Sequence, residues 1–283
     1  MKRAAAKYAV DALGLSGRQA CRLVSLWRSS FQYRSRRADD AELRRCMREI
    51  AEKRKRFGSP RIGLMLRRAG WRVNHKKVER LYAEEGLALR RRKRRKKFMG
   101  PRVPLPAPDQ PNRHLAMDFV QDRLINGRKI RTLTIVDTFS RECPAIEVDT
   151  SLGGRRVVRV LERLAERHGA PEAITIDNGT EFDSKVMDEW AFKRKVKLDF
   201  IRPGKPNENA YIESFNGKFR DECLNQNLFK TVDDARVIIE TWRVDYNEER
   251  PHSSLEDLTP KEFLERHFAK LEKQAAQKPR ALG

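Results

Sequence analysis

Along residues 112–226 the spacing of apolar positions keeps changing, and each change marks a new element. In HLAMDFVQDRLI, Leu115, Met117 and Phe119 alternate with Ala116, Asp118, Val120 and Asp122, which predicts a strand carrying its acids on one face. RKIRTLTIVDTFSR and ECPAIEVDT predict two further strands, and Asn126-Gly127 is the hairpin turn after the first. The period then lengthens. Val157, Val160, Leu161 and Leu164 fall on one helical stripe that Gly169 ends. AITID predicts a short buried strand closing at Asp177 in an Asn178-Gly179 turn. A helix with Val186, Met187, Trp190 and Ala191 at helical spacing follows, then a fifth strand, KLDFI. After an RPGKPN loop, ENAYIESFNGKFRDECL predicts a helix with Ile212, Phe215 and Phe219 inward and Asn209, Glu213, Asn216 and Arg220 along another side. The expected fold is an α/β core, a five-stranded mixed sheet flanked by helices, preceded by all-α segments.

The residues before this core read differently. Ser16 is placed to cap a helix through Gln19–Val24, and a second helical segment is expected around Trp27–Tyr33. Ser59 and Pro60 stand at N-cap and first-turn positions of RIGLMLRRA, which Gly70 ends. Asn74 caps HKKVERLYAEEG, closed by Gly86. That pair predicts a helix-turn-helix in which Val78, Leu81 and Tyr82 face inward and His75, Lys76, Lys77 and Arg80 do not. Beyond the core, Thr231 caps a helix, with Tyr246, Asn247, Arg250, Pro251 and His252 expected in a structural corner after it. Thr259, Pro260 and Glu262 form a capping box for a last helix, expected to fray after Lys273.

Charge assigns tasks to these parts. Of 283 residues, 62 are Lys or Arg and 40 Asp or Glu, for a net charge of +22. The whole excess lies in residues 1–100, which hold 31 basic and 9 acidic residues, while residues 101–283 hold 31 of each. A polyanion, nucleic acid first, is the implied partner of the basic part. Residues 90–97 are an unbroken basic run leading into five prolines between 101 and 111, an extended linker. The expected organisation is residues 1–89 for DNA binding, 90–111 as linker, 112–226 as core and 227–283 as a helical extension of it. No apolar run approaches the ~20 residues of a membrane span. Four dispersed cysteines without a CxxC pair, and histidines without HxxxH spacing, disfavour zinc and disulfides.

Asp118, Asp177 and Glu213 come from three separate elements, and convergence would make an oxygen-only site suited to Mg2+. Two such ions about 4 Å apart serve phosphodiester chemistry. Taken singly, each acid also reads as a strand-edge charge, a turn former or a solvated helix residue.

DFVQD, IDNGTEF and NAYIESFNGKFRDECLN resemble the motifs of DDE transposases in the retroviral-integrase, RNase H-like superfamily, with 35 residues between Asp177 and Glu213. More narrowly, FGSPRIGLMLRRAGWRVNHKKVERLYAEEGLALRRR, LTIVDTFSRE and YNEERPHSSLEDLTP resemble the second reading frame of insertion-sequence-three-family transposases. The resemblance runs from about Leu15 to Phe263. Leu115 and Ile176 depart from the family's usual Trp and Ser, both at packing positions.

The resemblance implies cleavage and joining of DNA at the ends of a bacterial insertion sequence, with Asp118, Asp177 and Glu213 as catalytic and metal-binding acids holding Mg2+ or Mn2+, two ions. It implies a homo-oligomer on double-stranded DNA, a possible frameshift fusion with an upstream-frame protein, no membrane, and a cytoplasmic, nucleoid-associated location. Arg220 matches the basic position the family keeps seven residues after the Glu. Residues expected to meet DNA are Arg72, Asn74, His75, Lys76, Lys77 and Arg80; Arg90, Arg91, Arg92, Lys93, Arg94 and Arg95 of the linker; and Asn209, Lys218 and Arg220 beside Glu213. Asn178 and Gly179 are expected to shape the turn at Asp177, and Asp122, Asp137 and Asp183 to have no metal role. The rival reading is a non-catalytic DNA-binding regulator, which would keep the basic helices and lose acids. A hydrolytic RNase H-type nuclease would need neither helix-turn-helix nor basic linker.

Overall fold

The computed structural model describes residues 1–34, 40–89, 108–177, 184–202 and 209–277. The chain divides into two compact units, Met1–Cys46 and Met47–Gly283. In the first, α1 (Lys2–Asp11), α2 (Gly17–Leu23) and α3 (Arg28–Gln32) gather around Ala6, Ala9 and Ala20, with Val10, Leu15, Val24, Leu26 and Phe31 against them. Ser16 and Gln19 form a complete capping box at the start of α2. Two helices go beyond the expected elements. α1 is alanine-rich, with high propensity and little apolar contrast to read. α4 (Ala41–Lys53), which spans the unit boundary, hides its apolar positions among charges.

In the second unit, α5 (Ser59–Arg68) and α6 (His75–Glu84) form the helical hairpin. Gly58, not Ser59, is the N-cap residue of α5, so Ser59 and Pro60 fill its first turn. The Asn74 side chain accepts from the Lys76 N–H at 3.0 Å. Ile62 and Leu66 are interior, as are Val78 and Leu81, and Gly63 faces Val78 across the hairpin, where a Cβ would make an ordinary contact at 3.5 Å.

The sheet is built from β1 (His114–Arg123), β2 (Lys129–Asp137), β3 (Ala145–Asp149), β4 (Ala173–Ile176) and β5 (Lys197–Phe200) in the order β3-β2-β1-β4-β5. β1, β2 and β3 pair antiparallel, whereas β4 joins β1 and β5 joins β4 in parallel. Gly127, at φ 81°, sits in the turn between β1 and β2, which supplies the left-handed backbone that such turns need. Both faces of β1 are covered, so its alternation sorts residues between two cores rather than between core and water. Leu115 and Met117 pack with α7 (Gly154–His168) and α8 (Lys185–Arg194). Ala116 and Val120 pack with α9 (Ala210–Glu222) and α10 (Val232–Glu248). Leu115 and Ile176, the two departures from the family pattern, are both interior.

Thr231 caps α10, its hydroxyl accepting from the Asp234 N–H at 3.1 Å. Tyr246 and Asn247 are not beyond α10 but inside its last turn, because the helix continues to Glu248. Thr259 and Glu262 exchange both bonds of a capping box at 3.1 and 2.7 Å and open α11 (Pro260–Gln277). That helix runs past Lys273, the expected point of fraying, to Gln277.

Candidate active site

β1 and β4 are neighbouring strands, with Asp118 within the first and Asp177 directly after the second. Ala116 pairs with Thr175 in parallel. That is the last pair of the ladder, so Asp118 and Asp177 each stand two residues beyond it. Ala116 and Asp118 share the face of β1 that α9 covers. Ile212, Phe215 and Phe219 anchor α9 to Ala116 and Val120, which leaves Glu213, Asn216 and Arg220 on the neighbouring side of the helix.

Asn216 fastens the helix to the strand. Its Nδ2 donates to Asp118 Oδ2 at 2.7 Å. Its Oδ1 lies 2.9 Å from the Thr134 hydroxyl, which also stands 3.1 Å from the Asp118 carbonyl and shares one proton between them. Asp118 Oδ1 accepts from the Phe119 N–H at 2.7 Å. Arg220, two turns after Glu213, donates to the Gln121 carbonyl at 2.9 Å and is otherwise exposed.

Burial raises the Asp118 pKa, and the negative charges of Asp177 and Glu213 raise it further against the bonds from Phe119 and Asn216. Asp177 and Glu213 therefore both act on Asp118 electrostatically. Among the described residues no three His, Cys, Asp or Glu side chains stand at ligating distance of one point. The donor set still fits a hard divalent cation, because it offers oxygens alone and its crowded negative charge is what such an ion would neutralise.

Other expected positions are distributed as follows. Arg72, Asn74, His75 and Lys76 are exposed on the helical hairpin, and Lys77 is half-buried. Arg80 is ion-paired with Glu84 at 2.7 Å. Asn209, expected to meet DNA, is buried, at 4% exposure. Asp122 bonds the next backbone N–H, and Asp137 accepts from the Ser140 hydroxyl at 2.6 Å, both local structural roles. Arg90, Arg91, Arg92, Lys93, Arg94, Arg95, Asn178, Gly179 and Asp183 lie outside the described residues. All four cysteines are free.

Sequence reasoning gave no role to Asn216 or Thr134. The readable signal was Asn216's place three residues after Glu213 on the same side; Thr134 becomes visible only through the β1–β2 register, where it faces Asp118. The corner after α10 is also more consequential than expected. Arg250 is 1% exposed and grips Glu222 of α9 with two bonds of 2.6 and 2.7 Å. His252 is buried against Tyr246 with Nε2 3.2 Å from the Tyr246 carbonyl, and burial with Arg250 nearby lowers its pKa to about 3.

An integrase core domain model matches residues 108–206, a second integrase core model matches 194–260, and a helix-turn-helix-like domain model matches 37–95. A protein of insertion element IS407 from Burkholderia multivorans is 46% identical over 267 residues, covering 94% of this chain and 96% of the relative. The protein named as putative transposase InsK of insertion sequence IS150 from Escherichia coli K12 is 27% identical over 86% of this chain and 91% of its own length. The catalytic core domain of HTLV-2 integrase, solved with magnesium, matches 54% of this chain and 96% of its own at 19% identity, with a TM-score of 0.44. Among the described residues no helix is long and apolar enough to cross a membrane. The chain belongs to the insertion-element transposases of the insertion-sequence-three family, second-reading-frame type, which carry an integrase core.

Proposed function

We propose that this chain cleaves and joins DNA at the ends of an insertion sequence, with Asp118, Asp177 and Glu213 as its catalytic and metal-binding acids. The observation that supports the reading is that Asp177 and Glu213 both act on Asp118, raising its pKa, the first from the end of a strand paired with β1 and the second from a helix that Asn216 bonds to Asp118. Residues so arranged would hold Mg2+ or Mn2+, two ions, which when bound supply activation of the attacking oxygen and stabilisation of the leaving one. In the cleavage step an oxygen of water bonds to phosphorus and the bridging P–O bond breaks, leaving a hydroxyl. In the joining step the oxygen of that hydroxyl bonds to the phosphorus of a second phosphodiester, whose own bridging P–O bond breaks, and the released strand end takes up the proton as a hydroxyl. Asn216 holds one oxygen of Asp118 so that the other side of the carboxylate is presented in a fixed orientation, and Arg220 stands two turns along to meet the strand. The exposed basic residues of the helical hairpin and the basic linker supply sequence-independent affinity through phosphate contacts. The working form is a homo-oligomer on double-stranded DNA in the bacterial cytoplasm, joined in some cases to an upstream-frame product.

Amide variants test the assignment, since an amide keeps the shape of a carboxylate but offers a neutral oxygen. Asp118→Asn, Asp177→Asn and Glu213→Gln are each expected to abolish Mg2+-dependent cleavage and strand transfer while end-DNA binding survives. The loss from one should nearly equal the loss from all three, because the acids work as a unit. Robust cleavage by Glu213→Gln, or activity that persists in EDTA, overturns the reading.

A further inference from the structure

α9 has a second polar side. Ser214, Gly217, Lys218 and Asp221 cluster roughly 100° around the helix from Glu213, given about 100° of rotation per residue. They form one wall of a cleft of about 640 Å3, and Arg56 and Arg61 line it from the hairpin side. Arg250 and Glu222 complete its lining.

The charges in this cleft do not cancel. Arg250 and Glu222 satisfy each other, with Arg61 3.7 Å from the same carboxylate. Arg56 pairs with Asp221 at 2.9 Å. Four cations thus face two carboxylates, a surplus of two: Arg61 shares Glu222 with Arg250, and Lys218 donates to the Ser214 hydroxyl at 3.1 Å while among the described residues no carboxylate pairs with it. Burial lowers the Lys218 pKa to about 8, assisted by Arg250, Arg61 and Arg141, while Glu222 opposes the shift. The other titratable groups around it are Tyr82, whose hydroxyl is engaged by the Phe57 carbonyl at 3.2 Å, Asp221, and His252. A half-buried ammonium with surplus positive charge around it calls for an anion. The volume exceeds that of one isolated phosphate group, and Ser214 on its wall is the residue next to Glu213.

We propose that this cleft seats a backbone phosphate of the DNA strand next to the bond being cut, with Lys218 as its main ligand and Arg61 behind it. This rests on the reading of the chain as a DNA-cleaving and DNA-joining enzyme, and adds where a flanking phosphate docks. The contact couples the helical hairpin to the helix that carries Glu213, since each supplies one wall.

The test is binding by the full chain to a duplex bearing the element's terminal repeat, measured by fluorescence anisotropy between about 50 and 200 mM salt and between about pH 7 and 9. Each lost phosphate contact flattens the log K against log salt slope by about 0.9, so across that salt range the affinity of Lys218→Ala should drop about 3.5-fold less than that of wild type. Binding favours the charged ammonium, so wild-type affinity should fall as pH rises through the Lys218 pKa of about 8, up to about tenfold from pH 7 to 9. Lys218→Arg should restore affinity and remove that decline, because guanidinium stays charged. Gly217→Leu gives a second variant: a Cβ there meets nothing within 4 Å and leucine is the better helix former, so it fills the cleft without weakening α9 and should weaken binding. If wild type fails to bind the duplex, the DNA reading falls and this proposal with it. If wild type binds and Lys218→Ala and Gly217→Leu match it in affinity, salt slope and pH response, the cleft proposal alone is overturned.

Discussion

Replacing Arg250 by methionine removes one half of an interior ion pair and leaves the other half in place. Arg250 is 1% exposed and Glu222 11%, so neither charge can turn to water for compensation. Breaking such a pair from one side costs about 3–5 kcal/mol, because the remaining charge stays buried without its partner. The lower end applies here. Arg61, 3.7 Å from Glu222, can partly take over neutralisation, and methionine keeps much of the apolar stem against Phe57 and Tyr246. For a domain of this size about 3 kcal/mol corresponds to a Tm lower by roughly 6–12 °C. Urea unfolding of wild type, Arg250→Met, Glu222→Met and the double variant measures this as a cycle. The double variant should recover most of the loss, since an apolar pair of similar volume can replace an ion pair at little net cost. A loss below about 1 kcal/mol for Arg250→Met, or additive single effects, would refute the claim that this pair pins α9.

Two further outcomes follow from the same geometry. Arg220→Ala should slow strand transfer by roughly 10- to 100-fold, the worth of one charge-assisted contact, while unfolding shifts by no more than about 1 kcal/mol because the side chain is exposed; an unchanged joining rate on element-end DNA counts against its role. His252, with its pKa lowered to about 3, binds a proton more readily unfolded than folded between about pH 6.5 and 3. Its contribution to stability is therefore complete above about pH 6.5 and drains away as pH falls, by about 2 kcal/mol at pH 5. Urea midpoints measured at neutral and mildly acidic pH should differ more for wild type than for His252→Gln, and identical pH responses of the two would sink this account.

The sheet was legible because its strands obey local rules. A period of two through β1, the Asn126-Gly127 turn and the glycine stop at Gly169 each specify an element without outside help. α4 and α1 escape such rules for opposite reasons, the first because charges dilute its apolar stripe and the second because alanines give little contrast. Burial on both faces of β1 was also hidden. Ala116 and Val120 share their face with Asp118 and Asp122, so the pattern reads as polar a face that α9 and α10 cover.

What the sequence could not disclose is how charges spend themselves on one another. Read as a string, residues 1–100 carry the whole surplus of +22 and residues 101–283 none. In the fold, Arg54 pairs with Asp245, Arg56 with Asp221, Arg61 approaches Glu222, and Arg68 grips Glu262. Four arginines that composition assigns to DNA are thus tied to acids of the core and its extension, far from them along the chain. That spacing has no period and no motif, so no pattern in the sequence reports it. The consequence runs in both directions. Acids such as Asp221 and Glu222 anchor the hairpin against α9, and the cations that remain uncommitted, Lys218 among them, mark where an outside anion can still be held.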